Sequence, residues 1–575
     1  MTPAFSRWIF PATDPQAAER LAAALGIGTP AAKVLINRGF ADPDEARRYL
    51  EAPLDSLHDP LALRDMERAA ARLEKAVRAR EKILIYGDYD VDGATSVALL
   101  MKAIGMAGGD ARWHVPDRLK DGYGMRAETV EAAAAQGVTL IVSVDTGIRA
   151  AEVVRRAAAL GVDVIVTDHH LPDADPPPAF AVLNPNRAGC AYPEKNLCGA
   201  GVAFKLAQAF LGRLGWPAEK LRRVSESFLK IVALATVADV VPLTGENRII
   251  VKHGLAGLSS VRNPGLRALF DVAGIAAGKA PSARQVAFQI APRINVAGRM
   301  DTAEAVIELF LTADPDRARE LAEQLDRQNT ERRQVEDGIR EACERTPVDQ
   351  GAAALVYYDA AWHRGVVGIV ANRLMDRLHR PVFVLGRNAG DGLVQGSGRS
   401  IPAFHLLEAL DSMPDLFVRY GGHQYAAGVT LEEARVAEFR QRFNAYAAAR
   451  LGPQDLAPMV QIDAAVELRE IDEQAANGVY SLAPFGHGNP QPIFAASDVE
   501  VAGPPVVFGE KHLRIVVRQN NRTLKLKAWN YAARAGEFAA GARIDVAFTL
   551  EEDPYSASRG YPGWCAVLRE VRGAG

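Results

Sequence analysis

The chain has 575 residues, of which 49% are hydrophobic and 24% charged, with a formal net charge of −3. Such a length excludes a single core and predicts about three or four domains. The ordinary globular balance and small negative charge exclude a globally basic protein, so a polyanionic partner must meet a local basic surface. Four cysteines, Cys190, Cys198, Cys343 and Cys565, show no CxxC pair and no disulfide framework. The N-terminal MTPAFSRWIFPATDPQ lacks a basic start followed by an apolar signal core, and no uncharged apolar run reaches membrane-spanning length. A reducing cytoplasm is the expected setting.

In chain order, residues 1–50 read as an N-terminal helical extension, and AAARLEKAVRAREK leads into a first strand, KILIY. The helix SVALLMKAIGMA, the strand TLIVSVD, the helix AAEVVRRAAAL and the strand VDVIVT follow. Continuous apolar strands alternating with helices predict an α/β domain over 51–300, doubly wound around a parallel sheet, with its site at the carboxyl ends of the strands. The highly charged stretch 301–345 has Leu321, Leu325 and Val335 at helical spacing and predicts a long, mostly exposed connecting helix. A second α/β unit, 346–452, starts at ALVYYD, and LGPQDLAP reads as a linker. The tail, 459–575, alternates short strand-like runs with turns and predicts a small all-β barrel or sandwich.

Three predicted strands end in acids. KILIY runs into Asp88, Asp90 and Asp92, IVSV into Asp145, and VIVT into Asp168, His169 and His170. A further acid, Asp239, interrupts the apolar run IVALATVADVVPL. Each alone has a plain account as a cap, a turn or a satisfied carboxylate. Neighbouring parallel strands would bring them into one crevice, where crowded carboxylates need positive charge among them. Carboxylates with one or two imidazoles suit Mn²⁺ or Mg²⁺ better than Zn²⁺. Their number exceeds what one ion needs, and two ions sharing a carboxylate would serve phosphoryl hydrolysis.

DYDVDG, SVDTG, VTDHH and ATVADVVPL, in that order, resemble the four signature motifs of the DHH phosphoesterase superfamily. PDRLKDGYGM, RINVAGRMD, WHRGVVGIVANRL, SGRS, GGHQYAAG and PFGHGNPQP resemble its bacterial single-stranded-DNA-specific 5′→3′ exonuclease branch, from about residue 50 onward. The resemblance implies a DHH catalytic domain, a DHH-associated domain (DHHA1) and an oligonucleotide-binding (OB) domain. It implies that Asp90, Asp92, Asp145, His169 and Asp239 hold two divalent cations, Mn²⁺ or Mg²⁺, with Asp145 as the bridge. Asp145 and His169 then count as catalytic, and His170 faces the scissile phosphate. Many relatives carry a histidine where this chain has Tyr86, so Asp88 either completes that ion's shell or is a turn residue.

The same resemblance places a 5′-phosphate anchor at Arg118, Ser397, Arg399 and the stretch Gly421, Gly422, His423, and places Arg293, Asn295 and Arg299 on DNA. A structural ion pair is the alternative for Arg293 and Arg299. In the tail, LRIVVRQNNRTLKLKAW reads as a hairpin turning at Asn520-Asn521. Alternation puts Arg514 and Arg518 on one face of its first strand, and Lys525, Lys527 and Trp529 on one face of its second. Cations beside an aromatic suit a single strand, phosphates on charge and bases on a ring.

The expected activity is hydrolysis of single-stranded DNA from its 5′ end to 5′-mononucleotides, in recombination and repair. A RecQ-type helicase and single-strand-binding protein are partners implied by resemblance alone, with no membrane and a monomeric chain. Two rivals are a phosphoesterase for short oligonucleotides or cyclic dinucleotides, and a non-catalytic DNA-binding scaffold. The OB-like tail opposes the first, and the intact motif aspartates oppose the second.

Overall fold

A computed structural model describes residues 7–116, 124–300, 303–346, 351–387 and 392–573, excluding the side chains of 299 and 300. The chain forms two compact units. One comprises Ala52–Gln334 with Pro484–Pro490; the other comprises Met1–Glu51, Val335–Ala483 and Gln491–Gly575.

In the first unit, alternate residues of the KILIY strand (Lys82–Tyr86) enter different cores. Ile83 and Ile85 join one apolar cluster, while Leu84 and Tyr86 join another. That double burial is why the strand reads as continuously apolar. Its sheet is five-stranded and parallel, in the order Asp110–His114, Lys82–Tyr86, Val138–Val144, Asp163–Thr167, Ala181–Leu183. Helices Val91–Met106, Gly199–Arg213 and Ala218–Ala238 supply one core; Ala127–Ala135 and Ala151–Ala159 supply the other. The expected doubly wound architecture is present, with two edge strands, Asp110–His114 and Ala181–Leu183, added to it.

The charged connecting stretch carries two helices among the described residues, a short one, Glu304–Leu311, and the long one, Pro315–Arg345. The division between units falls within the long one, after Gln334. It is less exposed than its charge suggested: Ala318, Leu321, Ala322, Leu325, Ile339 and Cys343 form a buried stripe at helical spacing.

In the second unit, a mixed five-stranded sheet runs Arg419–Gly422, Ala426–Leu431, Val394–Arg399, Val382–Arg387, Leu355–Asp359, with only the last pair parallel. The strands of the tail close on themselves, although the tail is not all-β as expected, since it also carries the helix Glu473–Ser481. Phe494–Val501 pairs with both His512–Gln519 and Arg543–Glu552, and Arg522–Ala528 pairs in parallel with Trp564–Gly573. Those pairings give the five-stranded Greek-key barrel of an OB fold. The N-terminal residues join this unit through a parallel pairing of Arg7–Ile9 with Met459–Gln461 and the ion pair Arg38–Asp463, 2.8 Å. Among the described residues no helix is long and apolar enough to cross a membrane.

Candidate metal centre and nucleic-acid interfaces

The acids converge at the carboxyl end of the parallel sheet. Asp90 is the N-cap of the helix Val91–Met106, its Oδ1 accepting from Gly93 N at 3.0 Å. The helix therefore starts early enough to carry Asp92 in its first turn. Both oxygens of Asp92 accept backbone hydrogen bonds at the start of a second helix, from Gly199 N at 2.5 Å and Ala200 N at 2.7 Å. A helix N-terminus favours negative charge there. Asp145 follows its strand with φ +58°, a conformation uncommon for a non-glycine residue, and its N–H donates to Thr167 O at 2.9 Å. Gly199 lies so near that a Cβ on it would stand 2.7 Å from Asp145 Cβ and 2.8 Å from Oδ1.

His169 Nε2 is 3.2 Å from Asp145 Oδ1, 3.7 Å from Asp239 Oδ2 and 3.8 Å from Asp92 Oδ2. Donor atoms within 4.8 Å of one another form three groups: Asp88, Asp90 and Asp145; Asp92, His169 and Asp239; and Asp145, His169 and His170. Asp145 joins the first to the third, and His169 the third to the second. Tyr86 directs its hydroxyl to Gly124 O at 3.2 Å, while Asp88, buried, stands with Asp90 and Asp145.

These groups fit divalent cations. His169 Nε2 and Asp239 Oδ2 are buried and make no hydrogen bond among the described residues. Burial lowers the His169 pKa and keeps the imidazole neutral, as a ligand must be. Burial, then the charges of Asp92, Asp90, Asp239 and Asp88, holds Asp145 well above the usual carboxylate range. Burial, with Asp92 and Asp90 nearby, pushes Asp239 up to about 9.

Carboxylates with raised pKa values keep protons that the unfolded chain has lost, so folding stability falls as pH climbs from the ordinary carboxylate range toward 9. The chelated protein should thus melt at lower temperature at pH 8.5 than at pH 6. Mn²⁺ should raise Tm more at the higher pH. An equal gain at both, measured by circular dichroism, would contradict the assignment.

Asp168, not among the expected site residues, organises the histidines. Fully buried, it accepts from Ile148 N (3.0 Å), His169 N (2.8 Å) and His170 N (3.1 Å), and pairs with His170 Nδ1 at 2.8 Å. Burial, the largest single influence, opposes charge on both partners, but their mutual hydrogen bond and charge, with further hydrogen bonds to Asp168 and acidic neighbours of His170, together outweigh it: Asp168 sits below and His170 above its ordinary pKa. The DHH sequence itself carries that signal, since the acid directly precedes both imidazoles.

Other expected site residues are spread more widely. Arg118 and the side chain of Arg299 lie outside the described residues. Arg293 is turned inward, 12% exposed, bonded to Asp326 Oδ1 at 2.8 Å and to Val272 O at 3.2 Å. Asn295 Oδ1 accepts from Val91 N at 3.1 Å and braces the first motif. Both were expected on DNA, with a structural ion pair as the alternative for Arg293, and both have internal partners here, as buried polar groups do. In the second unit, Arg399 Nη1 donates to Ser397 Oγ at 2.8 Å, beside the start of the helix Val367–Leu378. A Cβ on Gly368, in that first turn, would stand 3.2 Å from Ser397 Oγ and 3.4 Å from Arg399 Nη2. Gly421, Gly422 and His423 form a hairpin bend in which Gly422 crowds Ala426 and Ala427, while the space beside Gly421 is open.

On the barrel, Leu513, Ile515 and Val517 point inward, as do Leu524, Leu526 and Ala528. Arg514, Arg518, Lys525 and Lys527 stand on the opposite face, with Arg514 paired to Lys527 and Val516 to Lys525. Arg518 is bonded to Glu500 at 2.7 Å and Lys527 to Asp553 at 2.6 Å. Trp529 is 45% exposed and packs on His512 and Phe508 at 4.7 and 5.7 Å between ring centroids. Those two extend the aromatic patch, and the placement of His512 two residues before Arg514 was a readable sign of it.

Residues 82–236 match the DHH family, N-terminal domain; residues 351–449 match the DHHA1 domain and 462–560 the RecJ OB domain. The single-stranded-DNA-specific exonuclease RecJ of Dickeya dadantii is 40% identical over 488 residues, covering 81% of this chain and 84% of the relative. The chain belongs to the RecJ family. The crystal structure of Thermus thermophilus RecJ with Mn²⁺ matches with a TM-score of 0.83 at 33% identity, over 99% of this chain and 80% of that one. The Mg²⁺ complex of the same RecJ matches at 0.77 and 32% identity, over 99% and 79%. The donor set of this RecJ-family chain, carboxylates with two imidazoles, suits either ion.

Proposed function

We propose that the chain is a divalent-cation-dependent exonuclease that degrades single-stranded DNA from the 5′ end to 5′-mononucleotides in DNA recombination and repair. The observation that carries this reading is the linked set of donors around Asp145 and His169 in a RecJ-family chain. Asp88, Asp90 and Asp145 would hold one cation, and Asp92, His169, Asp239 and Asp145 the second. Bound cations would supply Lewis acidity toward water and charge neutralisation at the phosphate. Asp168 holds His170 by Nδ1, on a ring inclined to be protonated, and His170 would face the scissile phosphate as a donor.

The seat for a terminal phosphate is Arg399, Ser397 and the first turn of Val367–Leu378: a guanidinium, a hydroxyl and a helix N-terminus suited to an anion. Arg514, Lys525 and Trp529 on the OB domain suit the single strand beyond it. A cytoplasmic, monomeric protein working with a RecQ-type helicase and single-strand-binding protein completes the proposal.

The test compares Mn²⁺-dependent release of nucleotides from long 5′-phosphorylated single strands, the same strands lacking the phosphate, and dinucleotides. The wild type should prefer the long phosphorylated strand. Arg399→Ala should lose about 10-fold or more of that advantage, the scale of a charge-assisted hydrogen bond (about 1.5–3 kcal/mol), while hydrolysing unphosphorylated strands as before. Preference for dinucleotides would sink the exonuclease reading.

A further inference from the structure

Residues 484–490, PFGHGNP, lie in the chain between two segments of the second unit, yet they belong to the first. They dock there on the turn that follows Asp239. Asp239 closes the helix Ala218–Ala238 as its C-cap, its N–H bonded to Ala235 O at 2.8 Å. Asp239 Oδ2 makes no hydrogen bond among the described residues, so its aim depends strongly on the backbone that carries it. On the near side is the helix. On the far side the backbone is strained: Val240 is β-branched, has φ +58° and is 64% exposed.

Such a conformation persists only where its surroundings over-determine it. Asn247 Nδ2 donates to Pro242 O at 3.1 Å, and Leu243 N donates to His487 O at 2.7 Å. Gly488, with φ +71°, presses so closely that a Cβ would stand 2.9 Å from Pro242 Cβ. The loop is itself closed by paired backbone bonds between Gly486 and Asn489, at 2.9 and 3.2 Å, and by buried Asn489, whose Nδ2 donates to Pro484 O at 2.7 Å. It is therefore a preformed brace against residues 242–243.

We propose that the 484–490 loop is a positioning element of the metal centre, which fixes the 240–243 turn and through it the Asp239 carboxylate. The inference rests on the reading of Asp239 as a cation ligand. The loop touches neither substrate nor cation; it acts through His487 O and the close approach of Gly488.

The test is direct Mn²⁺ binding to the full chain by titration calorimetry without DNA, alongside melting by circular dichroism. Asn489→Ala opens the loop and should bind Mn²⁺ about 10–100-fold more weakly, the usual scale for losing a support behind a metal ligand. Its hydrolysis should recover as Mn²⁺ is raised, with KM for single-stranded DNA unchanged at saturating Mn²⁺. Should Asn489→Ala fail to fold, Gly488→Ala, which forces a side chain against Pro242, carries the same expectation. A folded loop variant that binds Mn²⁺ within twofold of wild type overturns the proposal. A wild-type chain that binds no Mn²⁺ overturns the metal-centre reading, and this inference with it.

Discussion

Asp145→Ala should lose roughly 10³-fold or more of Mn²⁺-dependent hydrolysis, the scale seen when one member of a catalytic unit is removed. Asp145 belongs to two of the three donor groups and lies 3.2 Å from His169 Nε2, so its loss damages both proposed ion sites at once. The same variant should be more stable than wild type when chelated. Burial and four neighbouring carboxylates raise its pKa, so in the cation-free protein its ionisation opposes folding. Lower activity with a higher chelated Tm is a signature that a merely structural aspartate would not produce. Melting in EDTA at pH 8 and initial rates in Mn²⁺ read the two effects separately.

Gly199→Ala should cost about 10²-fold in hydrolysis, the penalty of misplacing a reacting group by about an ångström. The added Cβ would meet Asp145 Cβ, Cγ and Oδ1 at 2.7–2.9 Å. Either the carboxylate or the helix start must shift, and the helix start is what holds Asp92 through Gly199 N and Ala200 N. Both proposed ion sites are therefore disturbed by one methyl group. Rates at increasing Mn²⁺ should rise without reaching wild type; unchanged rates with normal melting would show that the close approach is relaxed at no cost.

Legibility from sequence followed the range of the interactions. The strands ending at Tyr86, Val144 and Thr167 were readable because both faces of a parallel strand are buried, and their acids then had to converge. The edge strand Asp110–His114 was not, because its residues are exposed or half-buried and make no apolar run. The hairpin turning at Asn520 was visible in strict alternation, but Glu500 and Asp553, which engage Arg518 and Lys527, were not. For Arg293 the sequence left DNA contact and an ion pair both open, because nothing local reveals that Asp326 meets it. The supports of Asp92 are backbone N–H groups more than a hundred residues away, which carry no side-chain signature at all.

Asp88, Asp90 and Asp92 separate by role. Asp90 caps a helix while grouping with Asp88 and Asp145; Asp92 lies inside that helix and groups with His169 and Asp239. Tyr86 points its hydroxyl to Gly124 O, which leaves Asp88 as the third acid of its group. Three carboxylates at alternate positions would thus serve the two proposed cation sites.

The central claim is that this centre removes nucleotides from the 5′ end of a single strand. The most direct measurement follows one 5′-phosphorylated oligonucleotide labelled separately at each end, digested by the full chain in Mn²⁺. The account predicts that the 5′ label appears first as a mononucleotide, while the 3′ label stays on progressively shorter strands and EDTA stops both. Release of the 3′ label first, or cleavage that persists in EDTA, would contradict it.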